Sequence, residues 1–380
     1  MQEYNWKKER EKYRPDFMKT PEPPEQPVQA SPAQASPASQ RPVPPVKQKK
    51  SMAGWIAGAA VALVFAVLLV ILFVRSGEPS SMLANAAGKY GKAVGLIVLT
   101  ADLQDGTKIQ IPVATAWAFE KNKVATNAHV AIGLRDRCEE MKQTLAHTLL
   151  ERKSKEAGFD GDVDAYMKRL GQDEGNRIAG RCMEDAKKMI REFGVSILFN
   201  GTSHESRRVT HVQVHPEYGI ASNSFNPDVA VLTVDGQNDV RFKVADDSTL
   251  RSLKAGEPVA FLGFPMENLK DENVNLDNPV ASMQSGIVVA VTDFDLKDAG
   301  PEKNCLIRHN LPVSGGASGS PVFNRDGEVV GLLFAENTVG HIQNGQVARA
   351  PSAVMINFAV RSDLLKKMNP PVEIKEFLSR

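Results

Sequence analysis

The chain has few cysteines and no excess of charge of either sign. Its 380 residues include three cysteines, too few for a disulfide framework, although one bridge remains open. With 46 basic and 45 acidic residues the formal net charge is +1, which gives no support to nucleic-acid binding, since that needs a strongly basic surface. Residues 160–164 resemble a calcium loop but lack the glycine and the final acid that such a loop requires. We therefore expect no metal, no cofactor and no nucleic-acid partner.

The first fifty residues lack the apolar side chains that a folded core needs. Residues 21–46 are rich in Pro, Ala, Ser and Gln, so they bury too little surface to offset the entropy of ordering. Residues 1–20 mix aromatic and charged side chains, which leaves open a short helix that docks on a partner, although a solvated tail is the simpler interpretation. We predict a disordered, proline-rich cytoplasmic tail over residues 1–50.

Residues 52–74 contain no charged side chain. A helix of these 23 residues would be about 34 Å long, enough to cross a hydrocarbon core of about 30 Å. A cleaved signal peptide is the alternative, because the small residues at 84–86 resemble a cleavage site. The leader is longer than that of a signal peptide, and the site lies farther beyond the apolar run, which favours an uncleaved transmembrane helix.

The charges that flank this segment predict its orientation. Lys47, Lys49 and Lys50 precede it and Arg75 alone follows it closely, so the N-terminus should stay in the cytoplasm. We therefore expect a single-pass protein of the inner (cytoplasmic) membrane. Residues 75–89 would form a linker, and the remainder of the chain would lie in the periplasm or another extracytoplasmic space.

From residue 90 onward, short β-rich runs recur between turn-forming residues. This pattern is typical of an all-β barrel or sandwich. We expect one domain over residues 90–370 and a short tail at residues 371–380. The predicted strands are 93–100, 107–119, 194–199, 228–234, 258–263, 286–292, 321–334 and 354–360.

A highly charged block at residues 134–193 interrupts the β pattern. Apolar side chains recur in it at helical spacing. This spacing predicts two helices, at 134–157 and 175–193, and a short helical piece at 163–170. We interpret the block as a helical insertion between two strands.

Cys138 and Cys182 fall in the two long predicted helices of the insertion. In an extracytoplasmic compartment a bridge between them would clamp the hairpin and contribute about 3–4 kcal/mol through loop closure. Two buried thiols in these positions by coincidence are the alternative. We predict the Cys138–Cys182 disulfide and a core position for Cys305.

Three short segments carry the residue types of a nucleophilic hydrolase. His129 follows a predicted strand (VATNAHV), Asp228 opens another (NPDVAVL), and Ser318 lies in a glycine-rich turn (GGASGSP). A serine hydroxyl becomes nucleophilic when an imidazole removes its proton, and a buried carboxylate holds that imidazole in the required tautomer. Gly316 and Gly319 allow backbone N–H groups to converge on a developing oxyanion. Together, the three segments indicate a catalytic triad.

The segments TNAHV, NPDVAVL and GASGSPVF resemble the triad motifs of trypsin-like serine proteases of the chymotrypsin clan, closest to the HtrA/Deg branch. The runs VADDSTLRSLKAGEPVAFLGFP, MQSGIVVAV and INFAV resemble the same branch, so the resemblance covers about residues 90–365. It implies two six-stranded β-barrels with the active site in the cleft between them. It also implies that His129 is the general base, Asp228 its orienting acid and Ser318 the nucleophile, with the N–H groups of Gly316 and Ser318 as the oxyanion hole.

The chain departs from the family pattern at three points. Ser320 replaces the second glycine that usually follows the nucleophile. His129 and Asp228 are 99 positions apart, which leaves room for the helical insertion. About twenty residues follow INFAV. We therefore expect no PDZ domain, and we leave open whether the protein forms a homo-oligomer.

The side chain that precedes the scissile bond is expected to bind between two segments. These are three residues before the nucleophile and three on a later strand, namely Leu311, Pro312, Val313, Leu333, Phe334 and Ala335. No aspartate occupies the position with which trypsin selects a basic side chain, so we predict a small or medium apolar one. His309 lies near the expected wall of this pocket, where a packing role is the commoner one for a histidine.

These features predict a membrane-anchored serine endopeptidase that hydrolyses protein or peptide substrates through an acyl-enzyme. We expect it to act in protein quality control or regulated processing. The alternative is a catalytically silent, membrane-tethered scaffold that binds partners through its helical insertion and cytoplasmic tail. An intact triad favours the peptidase.

Overall fold

The structure, a computed structural model, describes most of the chain beyond residue 78. The predicted tail at residues 1–50 and the predicted transmembrane helix at residues 52–74 lie outside the described residues. Within the described part, no helix has both the length and the apolarity needed to cross a membrane. The described residues are 79–202, 206–220, 225–266, 275–335, 338–343, 346–351 and 356–379.

The first barrel is a closed antiparallel sheet. Its strands are β1 (Val94–Leu103), β2 (Lys108–Glu120), β3 (Lys123–Thr126), β4 (Ile190–Phe199), β5 (Ser206–Val214) and β6 (Ala230–Val234). They follow the order β5-β4-β1-β2-β3-β6, and β6 pairs back with β5. Closure satisfies the backbone groups that an open sheet would leave unpaired at its edges.

The second barrel closes in the same way. Its strands are β8 (Pro258–Gly263), β9 (Ser282–Thr292), β10 (Leu306–His309), β11 (Pro321–Phe323), β12 (Glu328–Ala335) and β15 (Asn357–Arg361), with β7 (Lys243–Val244) added in parallel to β12. The order is β11-β8-β9-β10-β15-β12, and β11 pairs with β12. The expected pair of six-stranded barrels is therefore confirmed. A separate hairpin contains β13 (Thr338–Gln343) and β14 (Gln346–Pro351), and β16 (Val372–Glu373) returns to pair with β5.

An aromatic cluster links the interiors of the two barrels. The ring of Phe242, in the segment between β6 and β7, meets the fully buried Trp117 edge-on at a centroid distance of 5.9 Å. On its other sides it stacks on Tyr90 at 4.8 Å and lies 5.7 Å from Phe323 of β11. Aromatic pairs at such distances contribute about 0.5–1.5 kcal/mol each beyond the burial of their area. The cluster thus fixes one barrel against the other.

The described helices include three that form the insertion between β3 and β4. The insertion helices are α2 (Ala128–Glu156), α3 (Val163–Leu170) and α4 (Gln172–Met189). The other described helices are α1 (Pro79–Tyr90), α5 (Asp247–Ser252) and α6 (Ile374–Ser379), with 3-10 turns at Gly91–Ala93 and Ser362–Lys366. The predicted helices at 134–157, 163–170 and 175–193 correspond to α2, α3 and α4, except that α4 ends at Met189 and residues 190–193 belong to strand β4. The helix α2 begins earlier than predicted, because β3 ends at Thr126 and the chain turns into the helix after Asn127.

The long helix α2 is held against the first barrel along its first half. Leu134, Cys138 and Met141 are buried in the core of that barrel. The guanidinium of Arg135 lies 3.9 Å from the centre of the Phe377 ring in α6, and its Nε donates to the Phe377 carbonyl at 2.8 Å. These contacts fix the orientation of α2, whose first turn contains His129.

The predicted Cys138–Cys182 disulfide is not formed, and the three cysteines are free thiols. Cys138 packs in the barrel core, whereas Cys182 packs against Ala146 of α2 in a separate apolar cluster. Eight residues of helix separate Cys138 from Ala146, or about 12 Å along the axis, while a disulfide requires Cα atoms less than about 7 Å apart. The prediction placed the two cysteines on the correct helices, but they lie at different heights along the paired helix axes. Burial raises the pKa of the Cys138 thiol to about 11.

Candidate functional site

The first predicted site residue, His129, lies in the first turn of α2. Strand β3 leads to it and pairs with β6, so that Thr126 stands opposite Ala230. This register brings residue 228, two positions before Ala230, next to the start of the helix. Asn127 has the extended backbone of a helix N-cap, yet its side chain donates to the carbonyl of Asp228 at 2.8 Å instead of capping the helix.

Asp228 accepts two hydrogen bonds from His129. One comes from the backbone N–H to Oδ1 at 2.8 Å, and the other joins Nδ1 and Oδ2 at 2.6 Å. The first satisfies an N–H group that has no partner within the helix, and it places a negative charge at the positive end of the helix dipole. The second requires that Nδ1 carry the proton, because an ionised carboxylate only accepts. Nε2 is therefore left to act as an acceptor.

The two residues differ sharply in exposure. The side chain of Asp228 is 4% exposed, whereas that of His129 is 40% exposed. Close by, the pKa of the Tyr218 hydroxyl is raised to about 12, first by burial and second by the charge of Asp228. Tyr218 therefore stays neutral at physiological pH and adds no charge beside the pair. A buried acid thus holds an imidazole whose other edge faces the cavity described below.

Ser318 lies in a tight turn that two glycines make possible. Gly316 and Gly319 both have a φ of +83°, a conformation that residues with a Cβ rarely adopt. A Cβ at Gly319 would lie 2.3 Å from the carbonyl oxygen of Thr115, and one at Gly316 would lie 2.5 Å from that of Phe264. Both glycines are therefore required by backbone conformation and by close packing.

Thr115, a buried residue of β2, holds this turn against the first barrel. Its N–H donates to the Ser318 carbonyl at 3.1 Å, and its hydroxyl donates to the Gly316 carbonyl at 2.9 Å. The same hydroxyl oxygen accepts from the N–H of Phe264 at 3.0 Å. The sequence analysis did not single out Thr115. A polar residue in the middle of the apolar run VATAWAF is the signal that could have revealed it.

The structure brings His129, Gly316 and Ser318 to one cavity of about 320 Å³. Within the described part of the chain, neither the N–H of Gly316 nor that of Ser318 donates to a protein acceptor. Both groups are thus available to an oxygen atom beside Ser318. Among the same residues, no hydrogen bond joins the Ser318 hydroxyl to His129. The rest of the lining comes from Val113, Ala114, Val130, Gly133, Asp136, Arg137 and Glu140.

The predicted specificity pocket is not part of this cavity. Of its six residues, Ala335 has a side chain outside the described set, and none of the other five lines the cavity. Leu311 and Leu333 are fully buried in the second barrel, Val313 packs at the edge of that core, and Pro312 is exposed. Phe334 is half-buried, with its ring 6.4 Å from that of Phe358. The pocket therefore stays a prediction.

His309 has a structural environment. It is fully buried, and its Nδ1 accepts from the N–H of Leu311 at 3.2 Å, while Asn357 donates to the Leu311 carbonyl at 2.8 Å. Burial lowers the pKa of His309 to about 4, and the Phe358 backbone opposes this only in part. The residue is neutral at physiological pH and fixes the segment that leads to Ser318. No group of three or more metal-binding side chains occurs in the part of the chain that the structure covers.

Comparisons with known proteins identify the family of this chain. The chain is 34% identical over 105 residues to a probable periplasmic serine endoprotease DegP-like of Halomonas elongata; the match covers 28% of this chain and 19% of that relative. The HtrA-type protease AlgW with decapeptide aligns at 13% identity and a TM-score of 0.41, over 74% of this chain and 64% of that one. Deg5 aligns at 13% identity and a TM-score of 0.38, over 76% and 93%. The model of the trypsin-like peptidase domain matches residues 114–332, more than half of the chain, and this chain therefore belongs to the trypsin-like peptidase family.

Proposed function

We propose that the protein is a serine endopeptidase in which His129, Asp228 and Ser318 form the catalytic triad. The observation that carries the proposal is the pair of hydrogen bonds from His129 to the buried Asp228, together with the cavity that His129 and Ser318 both line. A carboxylate fixed in this way holds the imidazole with Nδ1 protonated and Nε2 free, which is the form a general base requires.

The reaction follows from these positions. Nε2 of His129 removes the proton of the Ser318 hydroxyl while the oxygen attacks the carbonyl carbon of the scissile peptide bond. The electron pair that moves to the carbonyl oxygen is stabilised by the N–H groups of Gly316 and Ser318. Collapse of this intermediate breaks the C–N bond, and His129 returns the proton to the leaving amine. A water molecule, deprotonated by His129, then hydrolyses the acyl-enzyme and regenerates Ser318.

The missing hydrogen bond between Ser318 and His129 is compatible with this scheme. Catalytic hydrogen bonds are often long in a site without substrate and tighten when substrate binds. The turn of Ser318 is nevertheless well fixed, because Thr115 donates to it twice. A bound peptide needs only to bring the hydroxyl and the imidazole together.

For the whole protein we propose a single-pass anchor at residues 52–74, with the N-terminus in the cytoplasm and the peptidase domain in the periplasm or another extracytoplasmic space. The uncharged run of 23 residues and the lysines before it support this orientation. The DegP-like relative is named as periplasmic, which supports the proposed location. The role we propose for the protein is protein quality control or regulated processing. A reporter that is active only outside the cytoplasm, fused after residue 90, should be active. Activity of a cytoplasmic reporter at that point instead would refute the orientation.

Labelling with an alkyl phosphonate probe tests the catalytic proposal. The full-length protein in detergent should react covalently at Ser318 and should hydrolyse a casein-type substrate, because both reactions need the activated hydroxyl. Ser318→Ala should abolish both and leave the thermal unfolding transition in place. If the folded wild-type protein reacts with neither reagent, the silent scaffold is the better description. If Ser318→Ala retains hydrolysis, the assignment of the nucleophile is wrong.

A further inference from the structure

The face of α2 that carries His129 continues along the wall of the same cavity. Gly133, Asp136, Arg137 and Glu140 follow His129 at spacings of four, seven, eight and eleven residues. These spacings place all five on one stripe of an α-helix. All five also line the cavity that contains Ser318. The helix α2 therefore supplies one wall of the cavity in addition to His129.

Gly133 leaves an open space on this wall. Glycine inside a helix is unfavourable relative to alanine, and close packing against a neighbour is one reason for its presence. Here no other atom lies within 4 Å of the position that a Cβ would occupy, apart from its chain neighbours and the backbone of the helix itself. Packing within the protein therefore does not require the glycine. What its missing side chain provides is room between His129 and Asp136.

The acidic groups on this wall have no basic partner. Asp136 and Glu140 are exposed, and neither forms an ion pair with any residue in the described part of the chain. Glu139, which does not line the cavity, pairs with Lys142 at 2.5 Å. Arg137 is half-buried on the same wall, so the three charged groups carry a net charge of −1. A basic side chain entering the cavity would meet two unpaired carboxylates.

The direction of the substrate follows from the chemistry of His129. The imidazole must donate a proton to the leaving amine, so the residues after the scissile bond have to pass beside it. Beyond His129 on that side lie Gly133 and then Asp136, in the same cavity. The residues before the scissile bond are expected on the other side of Ser318, toward the second barrel.

We infer that this face of α2 is the subsite for the residues that follow the scissile bond. Gly133 provides the space for the first side chain, and Asp136 and Glu140 favour a basic side chain at the first or second position. The inference rests on the proposed peptidase function, because it assumes that His129 protonates the leaving amine. It makes the helical insertion a determinant of cleavage specificity.

Peptide cleavage by the full-length protein in detergent tests the charge preference. Quenched fluorescent peptides would share one sequence before the scissile bond and carry Lys, Glu or Gly at each of the next two positions. At low ionic strength kcat/KM should be about tenfold higher for Lys than for Glu, since each exposed ion pair contributes a few-fold. Asp136→Asn combined with Glu140→Gln should bring this ratio close to one. High salt should also reduce it in the wild-type protein.

Two adjacent glutamates provide a matched control. Glu140→Gln and Glu139→Gln remove the same charge one residue apart, but only Glu140 lines the cavity. The Lys-to-Glu ratio should fall in the first variant and not in the second. If the ratio is the same in the wild-type protein and in the Asp136→Asn/Glu140→Gln double variant, the charge preference is wrong, and normal phosphonate labelling of the wild type would show that the peptidase proposal still stands. If the wild type neither reacts nor hydrolyses, both proposals fall together.

Gly133→Ala tests the space on the wall independently of charge. Alanine should raise the Tm, because it is the better helix former and meets no neighbouring atom. It should at the same time lower kcat/KM severalfold for peptides with Leu or Lys after the scissile bond, and less for those with Gly. A higher Tm with equal kcat/KM changes for all three peptides would overturn the role of Gly133.

Discussion

The hydroxyl of Thr115 donates a hydrogen bond of 2.9 Å to the carbonyl oxygen of Gly316, a residue 201 positions later in the chain. Thr115 belongs to the first barrel, while Gly316 belongs to the turn that carries Ser318. The peptide unit that follows this carbonyl contributes the N–H of Ala317, which donates within the turn to Ser314 at 3.1 Å. The shape of the turn therefore depends on a side chain from the other barrel.

Replacing Thr115 by valine should weaken both the fold and the activity. Valine keeps the shape but leaves the part-buried Gly316 carbonyl and the buried Phe264 N–H without this partner, which should lower the free energy of unfolding by about 1–3 kcal/mol. We expect kcat/KM to fall by about one to two orders of magnitude, since the oxyanion donors of the turn lose their support. Urea denaturation and peptide hydrolysis would measure the two effects. Thr115→Ser keeps the hydroxyl and should restore most of the activity; equal losses in both variants would contradict this account.

Asp228→Asn should reduce turnover by about four orders of magnitude. The amide oxygen can still accept from the backbone N–H of His129, so the start of α2 should remain intact. The amide nitrogen would face Nδ1 and stabilise the wrong tautomer of the imidazole. Kinetics and circular dichroism together would show a folded and nearly inactive protein. Turnover close to that of the wild type would show that Asp228 does not orient His129.

The effects of removing the base and the nucleophile should not add. Ser318→Ala removes the atom that forms the acyl-enzyme, so a further His129→Ala change should reduce the residual hydrolysis rate very little. Rates of the two single variants and the double variant, measured with one peptide, test this prediction. A double variant that loses as much as the sum of the single losses, expressed as free energies, would show that the two residues act independently.

The stability of the protein should decline between pH 6.5 and pH 4 because of His309. Its pKa falls from 6.5 to about 4 on folding, so in this window the unfolded chain binds the proton and the folded protein does not. Above pH 6.5 His309 is neutral in both states and the free energy of unfolding does not depend on it. As the pH falls from 6.5 to 4, protonation of the unfolded chain lowers the free energy of unfolding by about 3 kcal/mol. His309→Asn keeps an acceptor for the Leu311 N–H and removes the titration. Urea denaturation of both proteins from pH 4 to pH 7 should show a stability difference that shrinks as the medium becomes acidic, and a constant difference would contradict the prediction.

The all-β character of the domain could be predicted because most of its strands are encoded locally, whereas the pair of barrels was implied by the family resemblance. The run at 321–334 shows the limit of such encoding, since it forms two strands, β11 and β12, rather than one. Asn324 accepts through Oδ1 from the N–H groups of Asp326 and Glu328, and Gly327 adopts a φ of +77°. This turn chemistry is visible in the letters NRDG, but the apolar residues on both sides concealed it.

The parts of the site that could not be predicted depend on contacts between distant segments. The residues of the proposed triad stood out because their motifs are short and contiguous. The role of Thr115 depends on a partner 201 positions away, which no local pattern contains. The error over Cys138 and Cys182 has the same origin, because the level at which two helices pack is set by their tertiary contacts. Helical spacing gives only the face on which each residue lies.

The three free thiols give the peptidase domain a fold that owes nothing to covalent cross-links. Its two barrels are closed by backbone hydrogen bonds and joined by aromatic packing. With its thiols free, the domain requires no disulfide formation or exchange to reach this fold. Burial raises the pKa of each of the three thiols, which keeps them protonated and poorly reactive.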